Sequence, residues 1–206
     1  AETLANDRLR AEVSLRRANY AEVTGDYPAA VAAAQATVRL AHAAQDLAHE
    51  SAGHLHWGRA LWRQGDLAAA QPQLERALTL ARDAGLLQTE ATSLRNLGIV
   101  CGQQGDFAGA TSYFQQTLPI YRVIDDRRGA SAVVNTLGIV SAMQGDFAGA
   151  RDHFQQALRI YRETGDRWGE GAVLTNLGEI SSEGCAYAGA RDYFQQALRL
   201  CREIDD

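Results

Sequence analysis

The sequence predicts an all-α chain, a solenoid of five helix-turn-helix repeats, and three observations carry that expectation. The first is composition: of 206 residues 46% are hydrophobic, 37 are Ala and only 3 are Pro, and alanine has the best helix propensity and proline the worst. The second is periodicity. Gly25-Asp26, Gly65-Asp66, Gly105-Asp106 and Gly145-Asp146 recur every 40 residues, and a fixed period of this length marks a repeat architecture. The third is helical apolar spacing within each copy: Leu94, Leu97 and Cys101 precede one Gly-Asp pair, and Phe107, Ala110, Phe114, Leu118 and Tyr121 follow it at three- and four-residue steps.

Taken in order, the copies are expected at about 6–45, 46–85, 86–125, 126–165 and 166–205, forming one domain over 1–206 that is a segment of a longer protein. Asn6, Asp46, Asp126 and Asp166 punctuate the starts of helix A, and Leu86 breaks that column. Helix B starts after each Gly-Asp pair, and each helix is expected to run for about four to five turns. The glycine can end one helix in the left-handed conformation, and the aspartate can accept from the free amides that begin the next. In the fifth copy Cys185 and Ala186 replace the pair and Gly184 stands one position early, so the turn is expected near Gly184. Gly98, Gly138 and Gly178 are expected to let helix A approach helix B, with Ala110, Ala150 and Ala190 opposite them. Phe114, Phe154 and Phe194 would then fill the space between adjacent pairs, each contributing about 1.5–3 kcal/mol when fully buried.

These residues resemble the tetratricopeptide repeat, whose pattern is W-x2-L-G-x2-Y in helix A and A-x3-F-x2-A in helix B. The fourth copy has Val134, Leu137-Gly138 and Ser141, then Ala150, Phe154 and Ala157; the third and fifth follow it closely. The second is looser, with Trp57-Gly58 and Leu74, and the first, with Arg17-Ala18 and Ala34, is the least typical. The 40-residue period is similar to the longer-helix variety in kinesin light chains and bacterial signalling and transcription regulators. The resemblance implies a right-handed superhelix whose A helices line a concave, ligand-binding side.

Composition narrows the chemistry. All 20 basic residues are Arg, so reactions that need a lysine amine, such as Schiff-base chemistry or a Walker-type phosphate loop, are excluded. A net charge of −5 argues against nucleic acid as partner. No apolar run reaches the length of a membrane helix and no signal-peptide segment is seen, so a cytoplasmic protein, bacterial by its Arg- and Ala-rich bias, with no membrane partner is expected. Cys101, Cys185 and Cys201 form no C-x-x-C pair and are read as reduced packing residues. His42, His49, His54 and His56 lack the spacing for one ion. No nucleophile-base set emerges, so no catalytic residue, metal or cofactor is expected.

The resemblance points to the helix A columns beside the Leu-Gly pair as ligand-facing. In the first three copies these hold Arg16 and Asn19, then His56, Arg59, Trp62 and Arg63, then Arg95, Asn96 and Ile99. In the last two they hold Asn135, Thr136, Ile139 and Met143, then Asn176. Asn side chains can both donate to and accept from a peptide main chain, and Trp62, Ile99, Ile139 and Met143 would supply apolar pockets. The arginines lie in the early copies, and Glu179 and Glu183 in the last, so an acidic segment would favour the first half.

The function expected is therefore a non-catalytic interaction module that holds a protein or peptide. The alternative is an effector-sensing segment of a larger bacterial signalling or transcription regulator. Asp205-Asp206 stands where Asp125-Asp126 precedes another helix A, and the last helix B carries Tyr187, Phe194, Leu198 and Cys201. An apolar strip of that kind is expected to pair with a second copy, giving a homodimer through the terminal repeat.

Overall fold

A computed structural model describes residues 2–205. The expectation placed on Asp205-Asp206 falls outside the described residues at Asp206 and outside the described side chains at Asp205. The described residues form helices and turns without a strand. The A helices are α1 (Glu2–Val23), α3 (Leu47–Arg63), α5 (Leu87–Gln103), α7 (Arg127–Met143) and α9 (Arg167–Glu183). The B helices are α2 (Tyr27–Ala43), α4 (Leu67–Asp83), α6 (Phe107–Val123), α8 (Phe147–Thr164) and α10 (Tyr187–Asp205). They pack as two compact units, Ala1–Ile120 and Tyr121–Asp206.

The turns follow the aspartate and glycine pattern closely. Asp26, Asp46, Asp66, Asp126, Asp146 and Asp166 each accept from the amide three residues on, and Asp106 accepts from Gly109 N at 2.9 Å. Leu86 makes no side-chain cap, as the broken column requires. Asn6, however, starts nothing, because α1 already runs through it; the residues around it contain no helix breaker to oppose this.

A residue with positive φ recurs at every turn, and six of these are glycines. The other three are Gln45, Asp125 and Cys185, with φ of 53°, 54° and 58°. In the last turn Cys185 therefore takes the left-handed position, whereas Gly184 has φ −79°. The register of the array places the left-handed site at residue 185 whatever stands there, and a side chain at that site costs about 1–2 kcal/mol.

The core corrects the expected glycine partners. A Cβ on Gly98 would lie 2.6 Å from the Phe114 ring, one on Gly138 2.5 Å from Phe154, and one on Gly178 2.6 Å from Phe194. In the second copy Gly58 meets Leu74 in the same way, at 2.7 Å. The glycines thus make room for an aromatic ring of their own helix pair, not for the alanines, because the ring reaches across where a methyl would fall short. Phe114 and Phe154 are fully buried by this seat and their neighbours.

Candidate functional site

Within the first unit the A helices present a polar face that is largely satisfied by itself. Glu22, in the last turn of α1, lies 2.8 Å from Nδ1 of His56 and 2.7 Å from Nη2 of Arg59, and its side chain is nearly buried. Burial pushes the Arg59 guanidinium below its ordinary value; Glu22 opposes this, and the charges of Arg95 and Arg63 add to it. Arg16 is paired with Glu12 on its own helix at 2.7 Å, and Asn19 is exposed. Trp62 donates from Nε1 to Gln103 Oε1 at 2.7 Å, and Arg63 stacks over its ring, 4.5 Å from the centroid. Ile99, one turn before Gln103 on α5, is half-buried.

Asn96 behaves differently from the column it belongs to. It is 3% exposed, and its Nδ2, like Nε of half-buried Arg95, has no hydrogen-bond partner. An amide that deep is a packing residue with an unmet donor, and such a group costs about 1–3 kcal/mol.

The second unit presents another kind of face. Ile139, Met143 and Phe147 are exposed, Met143 to 60%. With Ala142, Phe154, Asn176 and Ile180 they line a cavity of about 550 Å³ that carries Glu179 and Glu183 as its charged residues. Its volume suits one or more bulky side chains, and its lining has the mixture of apolar walls and few polar groups typical of ligand sites. Asn176 donates to Asn135 Oδ1 at 3.0 Å, which leaves Asn135 Nδ2 and Asn176 Oδ1 for another partner. Thr136 turns its hydroxyl to the carbonyl of Ala132, 2.8 Å away. A cavity of about 580 Å³ in the first unit lies along α1 and α2, and of the expected residues it takes in only Arg16.

The structure therefore brings Ile139, Met143 and Asn176 to one cavity and gives His56 and Arg59 an internal partner. Sequence reasoning missed Glu22, Phe147 and Ile180. Phe147 had a signal in the large apolar residues that begin each helix B, Tyr27, Leu67, Phe107 and Tyr187; Glu22 had none, because the same position in later copies is Trp62, Gly102, Ala142 and Ser182.

The four histidines of the early copies are held by protein partners, whereas Nδ1 of His153 on α8 is buried without one. His42 faces Glu50, His49 faces Asp46, and His54 lies 2.9 Å from Gln73 Oε1. Among the described residues no group of His, Cys, Asp and Glu is arranged to hold a metal ion. Burial pushes the Cys101 thiol up, in keeping with a packing role, but Cys185 and Cys201 are exposed and do not pack as expected.

A family profile described as tetratricopeptide repeat matches residues 50–122 and 130–203. The chain belongs to the tetratricopeptide repeat family. The first copy of this repeat chain, where Ala18 and Ala34 replace the Gly and Phe of the last three copies, falls outside the match. Repeats of this family commonly mediate protein–protein interaction, and no catalytic family is indicated. Among curated proteins, no sequence match is found.

Solved structures resemble it in fold. BtubC (BKLC) from P. vanneervenii is 19% identical with a TM-score of 0.82, over 99% of this chain and 91% of that one. A putative kinesin light chain with nearly identical TPR-like repeats, from Podosopora anserina, is 16% identical with a TM-score of 0.75, over 95% and 96%. A Rap protein complexed with competence and sporulation factor is 13% identical with a TM-score of 0.81, over 96% of this chain and 56% of that one. No helix among the described residues is long and apolar enough to cross a membrane.

Proposed function

We propose that this tetratricopeptide repeat chain is a non-catalytic module that binds a peptide or protein segment on its A-helix faces, with one bulky apolar side chain of the ligand seated among Ile139, Met143, Phe147 and Ile180. The cavity carries this reading: three large apolar side chains stand exposed around it, and exposed apolar clusters of this kind mark interaction sites. Asn135 and Asn176 would hold the ligand main chain with the groups their mutual bond leaves over. Glu179 and Glu183 favour a basic residue next to the apolar one, whereas Arg63 and Arg95 on the first unit favour an acidic segment there. The Rap protein of similar fold is seen complexed with competence and sporulation factor, which supports a bound partner as the role of such a fold.

Selection of phage-displayed peptides on the immobilised chain tests the reading. The expected winners share a bulky apolar residue beside Arg or Lys and lose binding to a Met143→Glu chain. Winners that bind the parent and Met143→Glu equally would remove the cavity from the proposal.

A further inference from the structure

The polar wall of the first unit is closed by Glu22 at one arginine and leaves two others over. Arg59 and Arg63 stand one turn apart on the same side of α3, and Arg95 stands on α5, the next A helix of the same unit. Arg59 has Glu22 at 2.7 Å, a carboxylate that also serves His56. Neither Arg63 nor Arg95 has an acid partner among the described residues, and Nε of Arg95 is buried without an acceptor.

The three guanidiniums act on one another. Burial pushes Arg59 below its ordinary value, and the charges of Arg95 and Arg63 add to that push while Glu22 opposes it. Three positive groups and one carboxylate leave an excess of two positive charges on this face. Folding alone does not call for such a cluster, because like charges held close oppose burial and an unmet buried donor is costly. Its placement is fixed by neighbours. Trp62 on α3 donates to Gln103 on α5 at 2.7 Å, and Arg63 lies over the same indole, 4.5 Å from its centroid. A guanidinium stacked in this way keeps N–H donors on its edge for an oxyanion.

We infer that Arg63 and Arg95, with Arg59 between them, hold the phosphate group of a phosphorylated serine or threonine in the bound segment. The inference rests on the peptide-binding reading for its occupant, but its residues lie apart from the Met143 cavity. Charge selects phosphate over carboxylate. A phosphate monoester brings about −1.5 to −2 charge at pH 7 and three acceptor oxygens, which answers both spare guanidiniums. An Asp or Glu side chain brings one charge and leaves a guanidinium unanswered.

The Nε–H of Arg95 is itself the reporter, assigned in a ¹H–¹⁵N spectrum by its loss in an Arg95→Gln chain. The probe is an acetylated, amidated pentapeptide of alanines with a central phosphoserine, in about 0.15 M salt. It should shift the Arg95 resonance and saturate with a Kd below about 5 mM. The same peptide with central glutamate should bind about tenfold more weakly, and with central serine should cause no shift. Inorganic phosphate, which offers no main chain, should bind about threefold more weakly than the phosphopeptide. Read from the Trp62 indole N–H, Arg63→Ala and Arg95→Gln should each weaken the phosphopeptide about tenfold. Arg39→Ala, a change of the same charge at an exposed position of α2, should leave it unaltered, and circular dichroism checks that all three variants fold.

An Arg95 resonance that does not move, or equal affinity for the phosphoserine and glutamate peptides, would overturn the inference. Equal affinity for inorganic phosphate would assign the site to a free anion and overturn the peptide source. Equal losses in Arg63→Ala and Arg39→Ala would reduce the effect to net charge and overturn it as well. The probes carry no bulky apolar side chain, so failure here leaves the Met143 cavity standing, and failure of that cavity leaves these results readable.

Discussion

Glu22, His56 and Arg59 of the first unit and Ala142, Asn176 and Glu179 of the second occupy the same three positions of the repeat, three copies apart. In the first unit the acid reaches both bases and closes the face with ion pairs. In the second the acid is an alanine, the bases are an amide and an acid, and a cavity of about 550 Å³ stands open beside Ile139 and Met143. One scaffold thus yields a self-satisfied polar wall and an apolar site by exchange at a few A-helix positions, while the seat beneath changes only from Gly58 on Leu74 to Gly138 on Phe154 and Gly178 on Phe194. Binding capacity follows from what the repeat leaves unpaired.

The largest effect is expected from breaking the polar wall. Glu22→Ala leaves His56 and Arg59 without their carboxylate and should cost about 3 kcal/mol in urea unfolding, because removing one partner strands the others in a partly buried place. The converse change, Ala142→Glu, should block peptide binding by filling the cavity and by adding a carboxylate near Glu179.

Next in size are the exposed walls of the cavity. Ile139→Ser and Met143→Glu should weaken a selected peptide about 10- to 100-fold by calorimetry, while unfolding changes by no more than about 0.5 kcal/mol, as surface substitutions usually do. The same peptide should bind an Arg16→Ala chain with unchanged affinity if its contacts lie in the second unit.

The repeat, the turns and the aspartate caps were legible because each depends on neighbours in sequence: Asp166 needs only the amide of Gly169, and Leu86 visibly lacks an acceptor. The partner of Gly98 was not legible, since a 40-residue period fixes where residues stand along a helix and not which side chain crosses to meet them. For the same reason Asn96 and Asn176 share a column, yet one is buried with an unmet donor and the other is bonded to Asn135. A column fixes the angle on the helix; the neighbouring helices decide what covers it.

That difference between the two amides can be measured. Asn96→Leu should stabilise the chain by about 1 kcal/mol, because it removes a buried donor without a partner. Asn135→Leu should instead destabilise it by a similar small amount, through loss of the Asn176 bond.

A smaller effect concerns pH. Burial pushes His54 below its ordinary value, and its bond to Gln73 and the charge of Glu50 oppose that push while Arg76 adds to it. A histidine kept neutral by folding gives stability that is fully present above about pH 6.5 and is lost as the pH falls through its folded value. Urea midpoints of the parent should therefore decline more between pH 7 and 5 than those of a His54→Gln chain, and parallel curves would show that burial of His54 has no such consequence.

Met143 is the single methionine of the chain and stands on the rim of the cavity, which makes its methyl group a direct reporter of occupation. With the ε-methyl labelled in ¹³C, addition of a selected peptide should move this resonance in proportion to binding, and the shift should vanish in an Ala142→Glu chain shown to be folded. A peptide that binds the chain tightly and leaves the Met143 methyl unmoved would contradict the assignment of the ligand site to the second unit.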